Sequence, residues 1–289
     1  MRATPLDPTR APALKYPEFG LAMGYVVGRH FFGMEDLHYG YWPDGLTVEV
    51  QNLAHAQSAY TDFLIENIPA GVRSILDVGC GAGNTARKLV ERGYQVDCVS
   101  PNPFLTRVAR EALGARATVF EGKFEDLAAD RRYDLLLFSE SFLFIKPDRA
   151  LPQAERLLNP RGYILMTDIF KAPAEGKSPI GGGHQLPVFR DLMAGSRFEQ
   201  LRDLDMTERI APTFDLLDLT YRDAFRPAYD LLAARLSASY PWLMRVARWV
   251  WRKKLTRLED KHFGGRRNGA NFARYKSYRL FLFRIRSTP

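Results

Sequence analysis

The stretch Ser74-Ile75-Leu76-Asp77-Val78-Gly79-Cys80-Gly81-Ala82-Gly83 joins an apolar run typical of a β-strand to a helical pattern over residues 84–92. Glycine at alternate positions permits a tight turn and lets the backbone approach a ligand with no Cβ atom in the way. The following helix would present unpaired N–H groups and a positive dipole end to a molecule bound at the loop. A glycine-rich loop alone is also compatible with a dinucleotide site.

The complete string is more specific than its glycines. It resembles the D-x-G-x-G-x-G signature of the class I S-adenosylmethionine-dependent methyltransferases. The resemblance implies that Asp77, Gly79, Gly81 and Gly83 hold the methionine half of the cofactor S-adenosylmethionine. The carboxylate of Asp77, near the end of the strand, would accept hydrogen bonds from an ammonium group.

The composition is that of a folded chain. Apolar residues make up 46% of its 289 residues, which is enough for a sizeable core and excludes a chain that is disordered throughout. Cys80 and Cys98 have no neighbours at metal-ligand spacing, so we predict two reduced packing residues and no metal site. No apolar run reaches the length of a signal peptide or the roughly 18 residues of a membrane span, so a cytoplasmic protein is expected.

Strand and helix patterns alternate along the chain, which predicts an α/β fold with a doubly wound, mostly parallel sheet. The predicted strands are residues 72–78, 94–99, 117–120, 133–138, 162–167, 198–206 and 275–285, and the predicted helices of the core are residues 47–67, 84–92, 103–113 and 149–157. The alternating pattern of the last strand and the resemblance together predict the seven-stranded, Rossmann-like methyltransferase fold, whose last strand is antiparallel.

Three regions are predicted. Residues 1–46 form an N-terminal tail and a helical flap with the aromatic segment His38-Tyr39-Gly40-Tyr41-Trp42-Pro43; residues 1–19 are its loosely held part. Residues 47–206 and 275–289 form the cofactor-binding core, and residues 207–274 form a helical substrate-lid insertion. The aromatic segment is similar to a His-Tyr-Gly segment of several small-molecule methyltransferases, which makes Tyr39 a candidate catalytic residue. The alternative is a surface loop pinned by aromatic side chains.

Ligands of such sheets bind at the carboxyl ends of the strands. Ser100 and Pro101 follow the second strand, where many class I methyltransferases and nicotinamide enzymes have an acidic residue, and this departure disfavours NAD. The pair is similar to one in the tocopherol, sterol and cyclopropane-fatty-acid methyltransferases. After the third strand, Lys123, Phe124 and Glu125 resemble the family's adenine-binding segment. Phe124 would contribute its N–H group and ring, Glu125 would accept from the adenine amino group, and Lys123 replaces the usual aspartate.

Ser139 and Glu140 follow the fourth strand, and a glutamate at this position also matches the same subgroup. The carboxylate could act as a base, orient a substrate hydroxyl or stabilise a cation. Alternatively, both residues only cap a helix. His184, after three consecutive glycines, is the histidine best placed to deprotonate a substrate, although an exposed loop histidine without a role is equally compatible. His30, His55 and His262 are assigned structural or surface roles.

The insertion contains two helical patterns, residues 214–236 and 242–258, and the second combines three tryptophans with six basic residues. The net charge of +8 and this helix indicate an anionic partner. The alternatives are a solvated basic face, a membrane surface, an acidic carrier protein or an anionic substrate. Nucleic acid is disfavoured because Ser139-Glu140-Ser141-Phe142 stands in place of the base-methylating Asn/Asp-Pro-Pro-Tyr/Phe signature.

Two classes of function follow. The first is an enzyme that transfers a methyl group from S-adenosylmethionine to an O, N or C nucleophile of a large, apolar or aromatic small molecule. The second is a methyltransferase-like protein that acts as a partner or regulator, or that uses the cofactor without methylation. The complete glycine loop favours the first, because a protein that binds no cofactor has no need of these glycines.

Overall fold

The fold is organised around one mixed β-sheet, which a computed structural model of the chain describes within residues 16–286. Its strands are β1 (Ser74–Val78), β2 (Gln95–Ser100), β3 (Ala117–Glu121), β4 (Tyr133–Ser139), β5 (Leu158–Lys171), β6 (His184–Gln185), β7 (Phe198–Asp205) and β8 (Lys276–Ile285). The strand order is β3-β2-β1-β4-β5-β8-β7, and β6 pairs with β5 off this path. Strands β1 to β5 run parallel, whereas β8 is antiparallel to both of its neighbours. The predicted fold class is confirmed, and the two-residue β6 is an addition to it.

Helices cover both faces of the sheet. They are α1 (Tyr16–Phe32), α2 (Leu53–Glu66), α3 (Asn84–Glu91), α4 (Pro103–Leu113), α5 (Pro147–Leu157), α6 (Leu186–Ala194), α7 (Thr207–Thr220), α8 (Arg226–Ser239), α9 (Pro241–His262) and α10 (Gly269–Tyr275). A π-helical turn, Tyr221–Phe225, joins α7 to α8. Within residues 16–286, no helix combines the length and the apolar character that a membrane crossing requires.

Two apolar layers enclose the sheet, because successive side chains of a strand point to opposite faces. Ile75 of β1 packs in the layer that includes residues of α2, α3, α7 and α10. Its neighbour Leu76 packs in the layer beneath α5 and α6. Both side chains are fully buried, so β1 lies in the middle of the core and holds the glycine loop at a fixed place.

The helix after β2 shows how local sequence sets an element's start. The side chain of Asn102 accepts hydrogen bonds from the N–H groups of Phe104 and Leu105, at 3.1 and 3.2 Å. Pro103 occupies the first turn of α4, where its missing N–H group costs nothing. The chain therefore turns from β2 into α4 immediately after Ser100 and Pro101.

The N-terminal region differs from the prediction in one respect. Helix α1 begins at Tyr16, so residues 16–19, predicted as part of a loose tail, are helical. The helix predicted by the apolar pattern of residues 19–32 thus extends upstream to residue 16. Residues 1–15 of the predicted tail lie outside the described residues.

In the aromatic segment of residues 38–43, His38, Gly40 and Trp42 are buried, so the segment is not a surface loop; its tyrosines are half-buried and its proline is exposed. The main-chain N–H of Tyr41 donates to the carbonyl of Ala56 in α2, and that of Trp42 donates to the carbonyl of Arg209 in α7, both at 2.9 Å. The Trp42 indole donates to Thr213 Oγ1 at 2.9 Å, and this side chain is only 3% exposed. The segment thus connects α2 to α7 near the sheet, and its role as a flap stays a prediction.

The chain between β7 and β8 is helical, but its helices begin elsewhere than predicted. Helix α7 begins at Thr207, whose N–H donates to Asp205 Oδ1, and it contains Pro212, which was predicted to precede the helix. Pro212 is the sixth residue of α7, so the helix lacks one main-chain hydrogen bond at this position and still continues through it. Helices α7 and α10 pack on the core through Phe214 and Phe272, whose rings stack at 4.1 Å.

Candidate cofactor and acceptor site

The predicted site residues gather where the parallel strands end. The N–H of Gly79, after β1, donates to the carbonyl of Val99 in β2 at 2.8 Å. The N–H of Glu140, after β4, donates to the carbonyl of Thr167 in β5 at 2.9 Å. These two bonds fix the glycine loop and Glu140 to the same edge of the sheet, which is where this class of fold binds its ligands.

The three loop glycines all have positive φ angles, +80°, +54° and +85°, but their surroundings differ. A Cβ atom on Gly79 would lie 2.4 Å from Ser141 Cβ, and one on Gly83 would lie 3.1 Å from Ala109 Cβ. A Cβ atom on Gly81 would meet no protein atom within 4 Å. Gly79 and Gly83 are thus required by internal packing, whereas Gly81 borders the open space that the predicted cofactor would occupy.

Asp77 is the clearest sign that the loop binds a cation. Its side chain is 1% exposed, and its Oδ2 atom is buried with no hydrogen-bond partner in the described part of the chain. Burial, with the negative charge of Asp36 nearby, raises the pKa of Asp77 to about 7. A buried carboxylate without a partner is costly. The ammonium group of S-adenosylmethionine would supply the missing donor, so the residues present fit this cofactor.

A buried polar cluster beside Asp77 was not predicted. His38 Nε2 lies 3.5 Å from Asp36 Oδ1, and Asp36 Oδ2 accepts a hydrogen bond of 2.6 Å from Asn84 at the start of α3. Burial opposes the charged form of both groups, but their mutual attraction prevails: the pKa of His38 is raised and that of Asp36 is lowered. The cluster ties the aromatic segment to the helix that follows the glycine loop. The His-Tyr-Gly resemblance indicated the segment but not this ion pair.

The residues after β2 form hydrogen bonds within and beside their own turn. Ser100 is buried, its Oγ lies 3.4 Å from the N–H of Asn102, and its carbonyl accepts from the N–H of Gly122 at 3.0 Å. Pro101 is exposed beside it. Ser100 therefore shapes the turn between β2 and α4, and its contact with the cofactor stays a prediction.

The predicted adenine segment forms a short 3-10 turn, Phe124–Asp126. The Phe124 ring is 3% exposed and packs edge-on against Phe138 at 5.3 Å, so the expectation that this ring contacts adenine is wrong. The physical reason is that the ring fills the core layer beneath the turn. Lys123 is exposed and Glu125 is half-buried, so Glu125 and the backbone remain as the predicted adenine contacts.

Glu140 is held in a strained and specific position. Its φ angle is +54°, which a non-glycine residue rarely adopts. Its Oε1 atom accepts a hydrogen bond of 2.9 Å from the N–H of Tyr39 and one of 2.7 Å from the Tyr278 hydroxyl. Burial raises the pKa of Glu140, and the positive charge of His38 offsets part of this effect. Such strain is characteristic of functional positions, and the observed contacts exclude a mere helix cap.

A chain of hydroxyl groups continues from Glu140 into the core. The hydroxyl oxygens of Tyr278 and Tyr60 lie 3.0 Å apart, and that of Tyr60 lies 3.1 Å from Ser139 Oγ. Burial, followed by the charge of Glu140, raises the pKa of both tyrosines, so they stay neutral. Ser139, predicted to bind the cofactor, is thus linked to Glu140 through two tyrosines of distant segments.

The ring of Tyr39 packs against helix α7. It lies 4.8 Å from the ring of Phe214 at an interplanar angle of 39°, and Phe214 in turn stacks on Phe272 of α10. Burial and the charge of Glu140 raise the pKa of the Tyr39 hydroxyl, whereas the charge of Arg267 opposes this shift. The Nε atom of Arg267 is buried and has no partner within the described residues. Tyr39 therefore lies near both a carboxylate, Glu140, and a cation, Arg267.

His184 contacts the turn Phe142–Phe144, and one of its ring nitrogens already has a hydrogen-bond partner there. Its Nε2 atom is 3.1 Å from the carbonyl oxygen of Phe142, and its ring packs edge-on against Phe142 at 5.6 Å. Asp168, a buried carboxylate at the end of β5, accepts from the N–H of Leu143 at 2.8 Å and so fixes this turn. Burial raises the pKa of Asp168 well above its ordinary value. The role of His184 as a base stays a prediction.

Comparison with known proteins identifies the glycine loop's family. The family described as "Methyltransferase domain" matches residues 76–166. The methyltransferase GfsG of Streptomyces halstedii is 31% identical over 225 residues, which cover 70% of this chain and 77% of GfsG. An uncharacterized methyltransferase of Mycobacterium tuberculosis is 35% identical over 97 residues, but the match spans only 34% of this chain and 40% of that relative's length.

A solved structure agrees with the fold. Geranyl diphosphate C-methyltransferase from Streptomyces coelicolor A3(2), in complex with Mg²⁺, geranyl diphosphate and S-adenosyl-L-homocysteine, superposes with a TM-score of 0.64. The alignment covers 95% of this chain and 99% of that one at 15% sequence identity. At this identity the likeness concerns the fold alone.

Proposed function

This chain belongs to the S-adenosylmethionine-dependent methyltransferases, with S-adenosylmethionine as its cofactor, and we propose that it methylates an O, N or C nucleophile of a bulky, partly apolar small molecule. The observation that carries the proposal is Glu140, a strained, buried carboxylate held by Tyr39 and Tyr278 at the strand ends beside the glycine loop. A protein that only bound the cofactor would not need this carboxylate. We also propose that the motifs place the enzyme nearest to the small-molecule and lipid subgroup.

The cofactor would be held by residues of the glycine loop and of the turns that follow the neighbouring strands. Asp77 would bind its ammonium group, Gly81 would border its methionine portion, and Glu125 is proposed to accept from its adenine amino group. When bound, the cofactor supplies a methyl group already activated on a sulfonium. The chain's own residues therefore have to position the acceptor and manage its proton.

Glu140 is proposed to perform the second task. The Tyr39 N–H and the Tyr278 hydroxyl both donate to Oε1, so this oxygen is fixed while the carboxylate as a whole faces the site. For an oxygen or nitrogen acceptor, the carboxylate would accept the proton that the nucleophile loses on methylation. For a carbon acceptor, it would stabilise the cation that forms.

The acceptor pocket is proposed to lie against Tyr39, whose half-buried ring suits an apolar or aromatic molecule. Residues 207–274 are proposed to form its lid. The tryptophans of α9 are 71%, 79% and 52% exposed at positions 242, 249 and 251, so most of their surface faces solvent and not an enclosed pocket. We further propose that basic helix α9 binds an anionic partner.

The proposed function is tested by titration and by product analysis. Isothermal titration should show binding of S-adenosylmethionine and S-adenosylhomocysteine but not of NAD. Incubation with methyl-labelled S-adenosylmethionine and a panel of isoprenoid and polycyclic alcohols, phenols and amines should transfer label to at least one class. NAD binding in place of S-adenosylmethionine would contradict the cofactor, and transfer confined to small polar metabolites would contradict the acceptor class.

Tyr278→Phe tests the hydroxyl chain. Removing the donor to Glu140 should lower kcat about tenfold, because a hydrogen bond to a charged group contributes roughly 1.5–3 kcal/mol. The affinity for S-adenosylhomocysteine should not change, because Tyr278 does not border the glycine loop. Tyr163→Phe, on the half-buried side of β5, is the matched control and should keep the wild-type rate. An unchanged kcat in Tyr278→Phe would show that the bond is only structural.

His184→Ala tests the second candidate base. If His184 takes the acceptor's proton, kcat should fall by roughly 100-fold, the lower range for general base catalysis. His55→Ala, an exposed histidine on α2, is the control. A wild-type rate in His184→Ala would show that the histidine only stabilises the turn that it contacts through Phe142.

A further inference from the structure

Helices α8 and α9 form an antiparallel pair that exposes large apolar side chains. Leu231 in α8 is 73% exposed, and Trp242 and Trp249 in α9 are 71% and 79% exposed. Leu232, Leu243, Val246, Val250 and Trp251 are also about half exposed or more. A contiguous apolar patch of this kind on a protein surface marks an interaction site.

The two helices pack on each other through a different face. On α8 the half-buried residues are Arg226, Tyr229, Ala233 and Ser237, which recur at intervals of three or four positions. On α9, Met244 and Ala247 are half-buried at a spacing of three. Arg248 reaches across to Ser237 Oγ at 3.4 Å. Trp242, Val246 and Trp249 therefore lie away from the partner helix, whereas Trp251, seven residues after Met244, is on the side of α9 that packs on α8.

The outer surface of α9 is divided into two neighbouring stripes. Trp242, Val246 and Trp249 recur at intervals of four and three residues, so they share one face of the helix. Arg245, Arg248 and Arg252 recur at intervals of three and four residues, so they form a second stripe next to the first. Lys253 and Lys254 follow at the next turn, and all five basic side chains are exposed. In the described residues, none of these five cations has a carboxylate partner.

The chemistry of the two stripes identifies the partner. Tryptophan joins an apolar body to a polar N–H group and is enriched where membranes meet water. Arginine and lysine beside such a stripe bind the phosphates of anionic lipids. A symmetric contact between two copies of this chain through the same face would bring like-charged stripes together, which disfavours self-association. An acidic protein would match the arginines but would not require three exposed tryptophans.

We propose that the α8–α9 hairpin lies on an anionic lipid membrane, with Trp242, Val246 and Trp249 in the headgroup region and Arg245, Arg248 and Arg252 against the phosphates. The helix lies in the membrane plane and does not cross the bilayer, because its basic residues occupy every turn. This docking does not depend on the proposed methyl transfer, so each can be tested without the other.

The test is co-sedimentation of the full chain with vesicles of phosphatidylcholine alone or with 30% phosphatidylglycerol (roughly the anionic share at which polybasic surfaces bind). Wild-type protein should partition at least about tenfold more onto the anionic vesicles, with a blue shift of its indole fluorescence. Partition should fall as salt rises from about 0.05 to 0.5 M, because exposed charges are screened. No sedimentation with anionic vesicles would overturn the proposal.

Variants separate the two stripes. R248E/R252E should lose most of the partition onto anionic vesicles, and W242A/W249A should lose the fluorescence shift and the salt-resistant part of binding. R73E/R107E, which reverses two exposed arginines outside the hairpin, is the charge-matched control and should bind like wild type. S-adenosylhomocysteine titration reports whether each variant is folded; if one is not, the salt series on wild type decides. Equal binding by R248E/R252E would show that the basic stripe does not hold the lipid phosphates, and a dimer with no vesicle binding would favour a second copy of the chain as partner; either result would overturn the proposal.

Discussion

Gly81→Val is expected to weaken binding of S-adenosylhomocysteine by at least about 100-fold, or roughly 3 kcal/mol, while the protein stays folded. A side chain at this position would enter space that no protein atom approaches within 4 Å, which is the space that the cofactor is proposed to occupy. The φ angle of +54° adds backbone strain of about 1–2 kcal/mol, which alone would not unfold a domain of this size. Isothermal titration measures the affinity and thermal unfolding measures the stability.

Gly71→Val is the matched control. Gly71 also has a positive φ angle, +85°, and also meets no atom within 4 Å, but it is exposed in the turn that precedes β1. It should show a similar loss of stability and an unchanged affinity. Gly79→Ala should behave differently again, because its Cβ atom would collide with Ser141 at 2.4 Å and destabilise the fold itself. Normal binding by Gly81→Val would show that the cofactor does not approach this part of the loop.

The positions of the strands along the chain were predictable because their signals are local. Strands β1, β2 and β3 end directly before a glycine or a proline, and Asn102 with Pro103 sets the start of α4 within three residues. The strand β6 was missed because two residues carry no periodicity. Helix α7 was predicted to begin too late, at residue 214; it begins at Thr207 and continues through Pro212.

The site was predictable only where its residues follow strands. Asp77 and Glu140 were identified in this way, but the groups that hold Glu140 come from segments 101 and 138 residues away. Nothing in the periodicity of β8 distinguishes Tyr278 from a core tyrosine, because its ring is fully buried like its neighbours'. The ring of Phe124 shows a second limit: tertiary packing directs the side chain of a motif residue into the core.

The distinction between Gly79, Gly81 and Gly83 illustrates the same limit. Spacing made the three equivalent, and all three have positive φ angles. Packing requires two of these glycines, because Ser141 in the turn after β4 lies against Gly79 and Ala109 in α4 lies against Gly83. Only the structure shows these neighbours. A motif therefore fixes the backbone shape, and the neighbours decide which position a ligand contacts.

Glu140→Gln is expected to lower kcat by at least about 100-fold with little change in S-adenosylhomocysteine affinity. The amide keeps the shape and can still accept from Tyr39 and Tyr278, but it can neither take a proton nor stabilise a cation, and proton transfer by a positioned group contributes roughly 10²–10⁴-fold. Burial raises the pKa of Glu140, so wild-type activity should rise with pH through a limb above the ordinary 4.5, and the variant should lack that limb. Glu199, a half-buried glutamate of β7 that pairs with Arg284 of β8, provides the control, and Glu199→Gln should match wild type. If Glu140→Gln kept the wild-type rate and pH profile, the strained carboxylate would serve only to anchor the aromatic segment, and catalysis would rest on positioning alone.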